Sequence, residues 1–144
     1  MAMEMERAMR VRVMAAIVAV VVVAPAVALA AAKPLTASSG PLRVTLVPPP
    51  THSPVENKNV PISVTATLNG KPAKRATAKY EFLFGGAVVQ TEYPRYDKHF
   101  TFNGHFSDNL VFPADAVGEP LTLRFVIADD GHSVGFNWTI DTVK

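Results

Sequence analysis

The chain contains no cysteine, and its five methionines all lie at or before Met14. Everything downstream of Met14 is free of sulfur. That excludes disulfide staples, thiol catalysis, iron–sulfur clusters and copper sites with thiolate or thioether ligands. Charge is sparse as well: 14 Lys plus Arg stand against 12 Asp plus Glu, a formal net of +2. No basic stripe points to nucleic acid, and no acidic tail points to a polycationic partner. Beyond residue 30 nothing convincingly helical appears, which argues against parallel sheets, since these need helical crossovers.

What is present comes first as an export signature. Arg7, Arg10 and Arg12 precede an apolar run from Val13 to Ala24, which Pro25 ends, and Ala28-Leu29-Ala30 offers the small residues of a cleavage site. Residues 1–30 therefore read as a secretory signal helix cut after Ala30, and the product as secreted or extracytoplasmic. The alternative is an N-terminal membrane anchor, because Val13–Ala32 is twenty residues, about the length that spans a bilayer. Membrane contact would then run through that segment only. Glu4 and Glu6 dilute the basic opening, and a start at Met9 would give a more conventional one. From Ala31 onward 114 residues remain, with eleven basic and ten acidic side chains. A domain of that size buries about two-thirds of its unfolded surface, and with no cysteine it must hold by packing alone.

Residues 31–41, polar and small, read as a flexible leader. After it the chain alternates. Leu42–Val47 has the period-two pattern of a half-buried strand, ended by Pro48-Pro49-Pro50. In Val60–Leu68, Ile62, Val64, Ala66 and Leu68 share one face, and Asn69-Gly70-Lys71-Pro72 turns the chain. Thr77–Phe84 alternates in the same way, and Gly85-Gly86 folds it into Ala87–Tyr93 as a hairpin. Leu121–Ala128 and Ser133–Val143 repeat the pattern around Asp129-Asp130-Gly131. Between residues 99 and 112 two rules conflict. Asn103-Gly104 is a two-residue hairpin signal, yet Phe100, Phe102, Phe106, Leu110 and Phe112 keep one parity, as on one face of a single strand. The reading adopted is two strands meeting near Gly104, with a bulge or longer loop restoring the parity. The sum is an all-β, antiparallel, two-sheet sandwich of seven or eight strands over residues 42–144.

At this level the chain resembles the immunoglobulin-like (Ig-like or fibronectin-like) domains of bacterial secreted and surface proteins. The resemblance rests on Asn59-Val60-Pro61-Ile62-Ser63-Val64-Thr65-Ala66, on the Asn69-Gly70-Lys71-Pro72 turn and on Gly118-Glu119-Pro120-Leu121. It implies an Ig-like sandwich. The chain has neither the cysteine pair nor the corner tyrosine of antibody-type domains, so no family site residue transfers to it.

Among candidate functional residues, Tyr93, Arg95 and Tyr96 form the best contact surface: aromatic rings beside polar groups can stack on sugars or anchor a protein. Gly131-His132-Ser133-Val134-Gly135 matches G-x-S-x-G, but the strand–turn–helix context that makes such a serine a nucleophile is missing, and no histidine follows. His52, His99, His105 and His132 lack the spacing of a metal site. Trp138 is expected in the core, with Val134, Phe136 and Ile140. No catalytic residue, metal or cofactor is expected. The functional expectation is an exported, non-catalytic module that contacts a protein or a cell-envelope glycan. The alternatives are a carbohydrate-binding module using the Tyr93–Tyr96 loop and, remotely, an enzyme using Ser133.

Overall fold

Wherever apolar and polar residues alternate, one face of an extended segment can be buried while the other stays wet, and those segments become strands. The computed structural model describes residues 32–144. It has two antiparallel sheets packed as a sandwich; the expected signal segment lies outside the described residues. The first sheet contains β1 (Leu35–Ser39), β2 (Leu42–Val47) and β3 (Val60–Leu68), in that order. The far side of β3 is shared by the short β4 (Lys71–Pro72) and by β8 (His105–Leu110). In the second sheet β10 (His132–Ile140), β9 (Leu121–Asp129) and β5 (Ala76–Phe84) lie side by side. The outer side of β5 is shared by β6 (Ala87–Glu92) and the two-residue β7 (Thr101–Phe102). Among the described residues no helix is long and apolar enough to cross a membrane.

The faces fall where the alternation puts them. Leu42, Val44 and Leu46 from β2, and Ile62, Val64 and Ala66 from β3, meet Tyr80, Phe82, Leu123, Phe125 and Ile127 from the second sheet in one buried cluster. Two expectations need correction. Residues 31–41 are not a loose leader throughout. β1 pairs with β2 along its whole length, from Leu35↔Leu46 to Ser39↔Leu42, through a turn at Gly40-Pro41. Leu35 and Ala37 supply the reason, since both pack against the core from one face of the strand. Among the described residues ten strands form, nine of them within residues 42–144, where seven or eight were expected; two are only two residues long.

The conflict around Asn103-Gly104 resolves as a change of sheet. β7 pairs with β5 in the second sheet, and β8 pairs with β3 in the first. The two strands do not pair with each other as a hairpin. Both face the same core from opposite sheets, so Phe102 and Phe106 are both buried, with ring centroids 4.7 Å apart. Phe100 joins them, 5.0 Å from Phe106. The chain's last residues are stitched across the end of the sandwich. Asp141 N–H donates to His52 O, Lys144 N–H to Pro54 O and Glu56 N–H to Lys144 O. Val143 is buried and makes a parallel bridge to Val117.

Candidate contact surface

The two sides of the sandwich differ. On one, β1 and β10 approach each other and close the layers. On the other, β6 ends the second sheet, with one edge unpaired among the described residues. Of the six large hydrophobic residues exposed among the described residues, Phe84, Val88, Val89 and Tyr96 fall in one stretch around β6, at 49%, 48%, 61% and 79% exposure. A β-bulge shapes this edge. Gln90 lies opposite Phe82 and Val88 opposite Leu83, which leaves Val89 as the extra residue. Val89 lines a groove of about 350 Å³ together with Phe82, Phe84 and the 111–121 connection. Glu92, Asp115 and Glu119 also line it, and among the described residues no Lys, Arg or His does.

The Tyr93–Asp97 loop continues the same surface; Gln90 and Glu92 line both the groove and the hollow under Tyr93 and Tyr96. Arg95 and Tyr96 both have positive φ, 55° and 56°. That backbone region costs a non-glycine residue about 1–3 kcal/mol. Local hydrogen bonds hold it there: Tyr96 N–H to Tyr93 O, Asp97 N–H to Pro94 O, and His99 N–H to the Asp97 carboxylate at 2.9 Å. The three residues singled out by sequence have different fates. Arg95 lies over the Phe100 ring, 5.5 Å from its centroid, and so ties the loop to the core. Tyr93 is half-buried. Arg95 is exposed as well, and Tyr96 is presented to solvent at 79% exposure. Sequence reasoning missed Phe84, Val88 and Val89. The available signal was the adjacent Val88-Val89 pair, which breaks period-two alternation and puts apolar side chains on both faces.

Beneath the loop, Tyr80 O–H donates to Asp108 Oδ2 at 2.9 Å and links β5 to β8. Burial, and then the bond to Asp108, push the phenol well above the usual tyrosine range. The folded state therefore holds this proton more tightly than the unfolded chain does. The resulting stability is complete below the ordinary tyrosine pKa of about 10, and it is lost as pH rises above that value. Tyr80→Phe should cost about 1–3 kcal/mol, since it leaves a half-buried carboxylate without its donor. It should also flatten the alkaline limb of a stability–pH curve measured by urea unfolding. On the outer face, Glu81 pairs with Lys79 at 2.9 Å and Arg124 at 3.1 Å. The hydrogen bond from Lys79, and then the two cations' charge, hold its carboxyl below the usual range against the opposing effect of burial.

Trp138 departs from expectation. It packs on the rim of the core only half-buried, and the exposed His52 ring stacks on it at 4.0 Å and 14°. His52 Nδ1 hydrogen-bonds Thr139 O, which fixes the imidazole over the indole. His52→Ala should therefore red-shift the single tryptophan's fluorescence and cost about 0.5–1.5 kcal/mol. An unchanged spectrum would mean the stack does not shield the indole. Ser133 is exposed on β10 opposite Ala128, and the Asp130-Gly131 turn precedes it. None of the hydrogen bonds among the described residues joins it to a histidine or carboxylate. Among the described residues, no three His, Asp or Glu side chains gather as a metal site would require. Compared with known proteins, the chain matches no family model, no curated protein and no solved structure.

Proposed function

We propose that this chain is an exported, non-catalytic Ig-like module that contacts a protein partner through β6 and the Tyr93–Tyr96 loop. The carrying observation is the clustering of four exposed large hydrophobic residues along one unpaired sheet edge and its adjoining loop. Exposed apolar surface of this kind marks interaction sites in proteins that otherwise hide it. Support for the Ig-like part comes from the strand order. β2-β3-β8 faces β10-β9-β5-β6, and the chain passes between the sheets before β5, at Asn103-Gly104 and between β8 and β9. Support for export comes from Arg7 to Ala30, with a cut that would fall just ahead of β1 and leave every strand of the described residues intact. For a non-catalytic role, the support is that Tyr80–Asp108 and Lys79–Glu81–Arg124 satisfy one another as structural pairs outside the groove.

A photo-crosslinker placed at Val89 or Tyr96, with Lys74 as control, tests the reading in the extracellular or envelope fraction. Protein adducts at Val89 and Tyr96 but not at Lys74 are expected. Equal labelling at all three positions, or none, would overturn it. Tyr96 at 79% exposure also favours a second reading, stacking on an envelope glycan. Adducts removed by glycosidase, and glycan-array binding lost in Tyr96→Ala, would select that one.

A further inference from the structure

We propose that the groove beside β6 accepts an extended polypeptide strand from a partner protein, with apolar residues at alternate positions and a lysine or arginine at its end. The inference rests on the reading of β6 as a contact surface and names what is contacted. Its first basis is the layering. The first sheet ends at β8, which sits over β5: Tyr80 bonds Asp108 across the layers, and Phe82 meets Phe112 edge-on at 5.9 Å. β6 lies one strand further out, and its side chains are exposed from Ala87 to Thr91. The wall facing it is the 111–121 connection, not a strand. The groove therefore lies against the inner face of β5 and β6, beside the β6 edge at which one more strand would extend the second sheet.

The second basis is the edge itself. Sheet edges are ordinarily blunted by lysine, proline, an inward charge or a bulge, because unpaired N–H and C=O groups invite another strand; β6 has the bulge and, at its end, Glu92 on the groove. Ala87-Val88-Val89-Gln90-Thr91-Glu92 has neither lysine nor proline. The bulge turns Val89 into the groove and keeps an apolar floor beside the open backbone groups. Main-chain pairing would supply affinity, and the pockets between Phe82, Phe84 and Val89 would select alternate side chains.

Charge decides the occupant. Glu92, Asp115 and Glu119 line the groove without a cation, in a chain whose formal net charge is +2. A second copy presenting its own β6 brings no cation and would add the same carboxylates. A strand ending in lysine or arginine meets them with opposite charge.

The test uses protein produced from the full-length chain and a synthetic library of short peptides. In the library Val, Ile, Leu or Phe alternates with Thr, in matched versions ending in Lys or Glu. Lys-ended members should bind and slow amide exchange across Ala87–Glu92, and their Glu-ended twins should bind about tenfold more weakly or worse. Val89→Lys should abolish binding. Asp115→Lys with Glu119→Lys, both at exposed positions, should reverse the Lys-over-Glu preference. The proposal fails if no member binds, if the two endings bind alike, or if bound peptide leaves β6 exchange unchanged. It also fails if β6 exchange slows with protein concentration alone, which would assign the edge to a second copy. Crosslinks at Val89 and Tyr96 that persist while the peptides fail would keep the contact surface and remove strand recognition.

Discussion

Replacing Phe125 with alanine is expected to lower stability by about 3–5 kcal/mol, the usual cost of emptying an aromatic core site. Phe125 has 0% exposure and lies mid-strand in β9, between β5 and β10, with Tyr80 and Phe136 as its cross-strand neighbours. The Tyr80 ring meets it edge-on at 5.6 Å and 76°. β9 is hydrogen-bonded on both sides, so the backbone cannot collapse readily into the space left behind. Domain stabilities total only about 5–15 kcal/mol, and a chain without cysteine has no disulfide to restrain its unfolded state. Equilibrium urea unfolding should show a large fall in midpoint with little change in slope. A loss under about 1 kcal/mol, the scale of a peripheral site, would mean that Phe125 is not central to the packing.

That Phe125 would be inside could be read from Leu121–Ala128 directly, because alternation encodes which face a residue takes. Alternation does not encode which sheet a strand joins. Phe102 and Phe106 show the difference: their shared parity correctly put both in the core, yet parity is equally served by one strand, a bulged pair or two strands in opposing sheets. The choice depends on β3 and β5, distant in sequence, which present the available edges. The leader fails for a related reason. Leu35-Thr36-Ala37 is too short and mild a pattern to identify alone, and it becomes a strand because β2 offers an edge and the core offers a place for Leu35.

The candidate contact surface was legible to the same degree. Tyr96 stood out by composition, since an aromatic residue in a polar loop beside proline is locally visible. Arg95 stood out for the same reason, but its position over Phe100 is a tertiary fact. The exposure of Val88 and Val89 follows from β6 being last in its sheet, and strand order is set by the whole chain. Trp138 was misjudged on similar grounds. It shares parity with Phe136 and the fully buried Ile140, but β10 is an edge strand, and one face of the indole is covered by the exposed His52 ring.

Gly104→Ala carries the second large effect, because it tests the point where the chain changes sheets. Gly104 is buried with φ +74°; its N–H donates to Ala73 O, and its C=O accepts from Ala66 N–H, each at 2.8 Å. The left-handed backbone costs an L side chain about 1–2 kcal/mol. A new Cβ would also sit 2.8 Å from Pro72 Cβ, and relieving such overpacking costs about 1–3 kcal/mol more. The two hydrogen bonds tie Gly104 to both neighbouring segments, so it cannot move away without breaking them. A total of about 2–5 kcal/mol is expected. Gly70→Ala is the control: its φ is +76° and nothing lies within 4 Å of the added carbon. It should show the conformational cost alone. The excess at Gly104 should largely vanish in a Pro72→Gly background, a coupling that a double-mutant cycle measures directly. Equal losses at Gly70 and Gly104 would mean the β7–β8 crossing gives way freely, and the close approach to Pro72 would then not fix where the chain changes sheets.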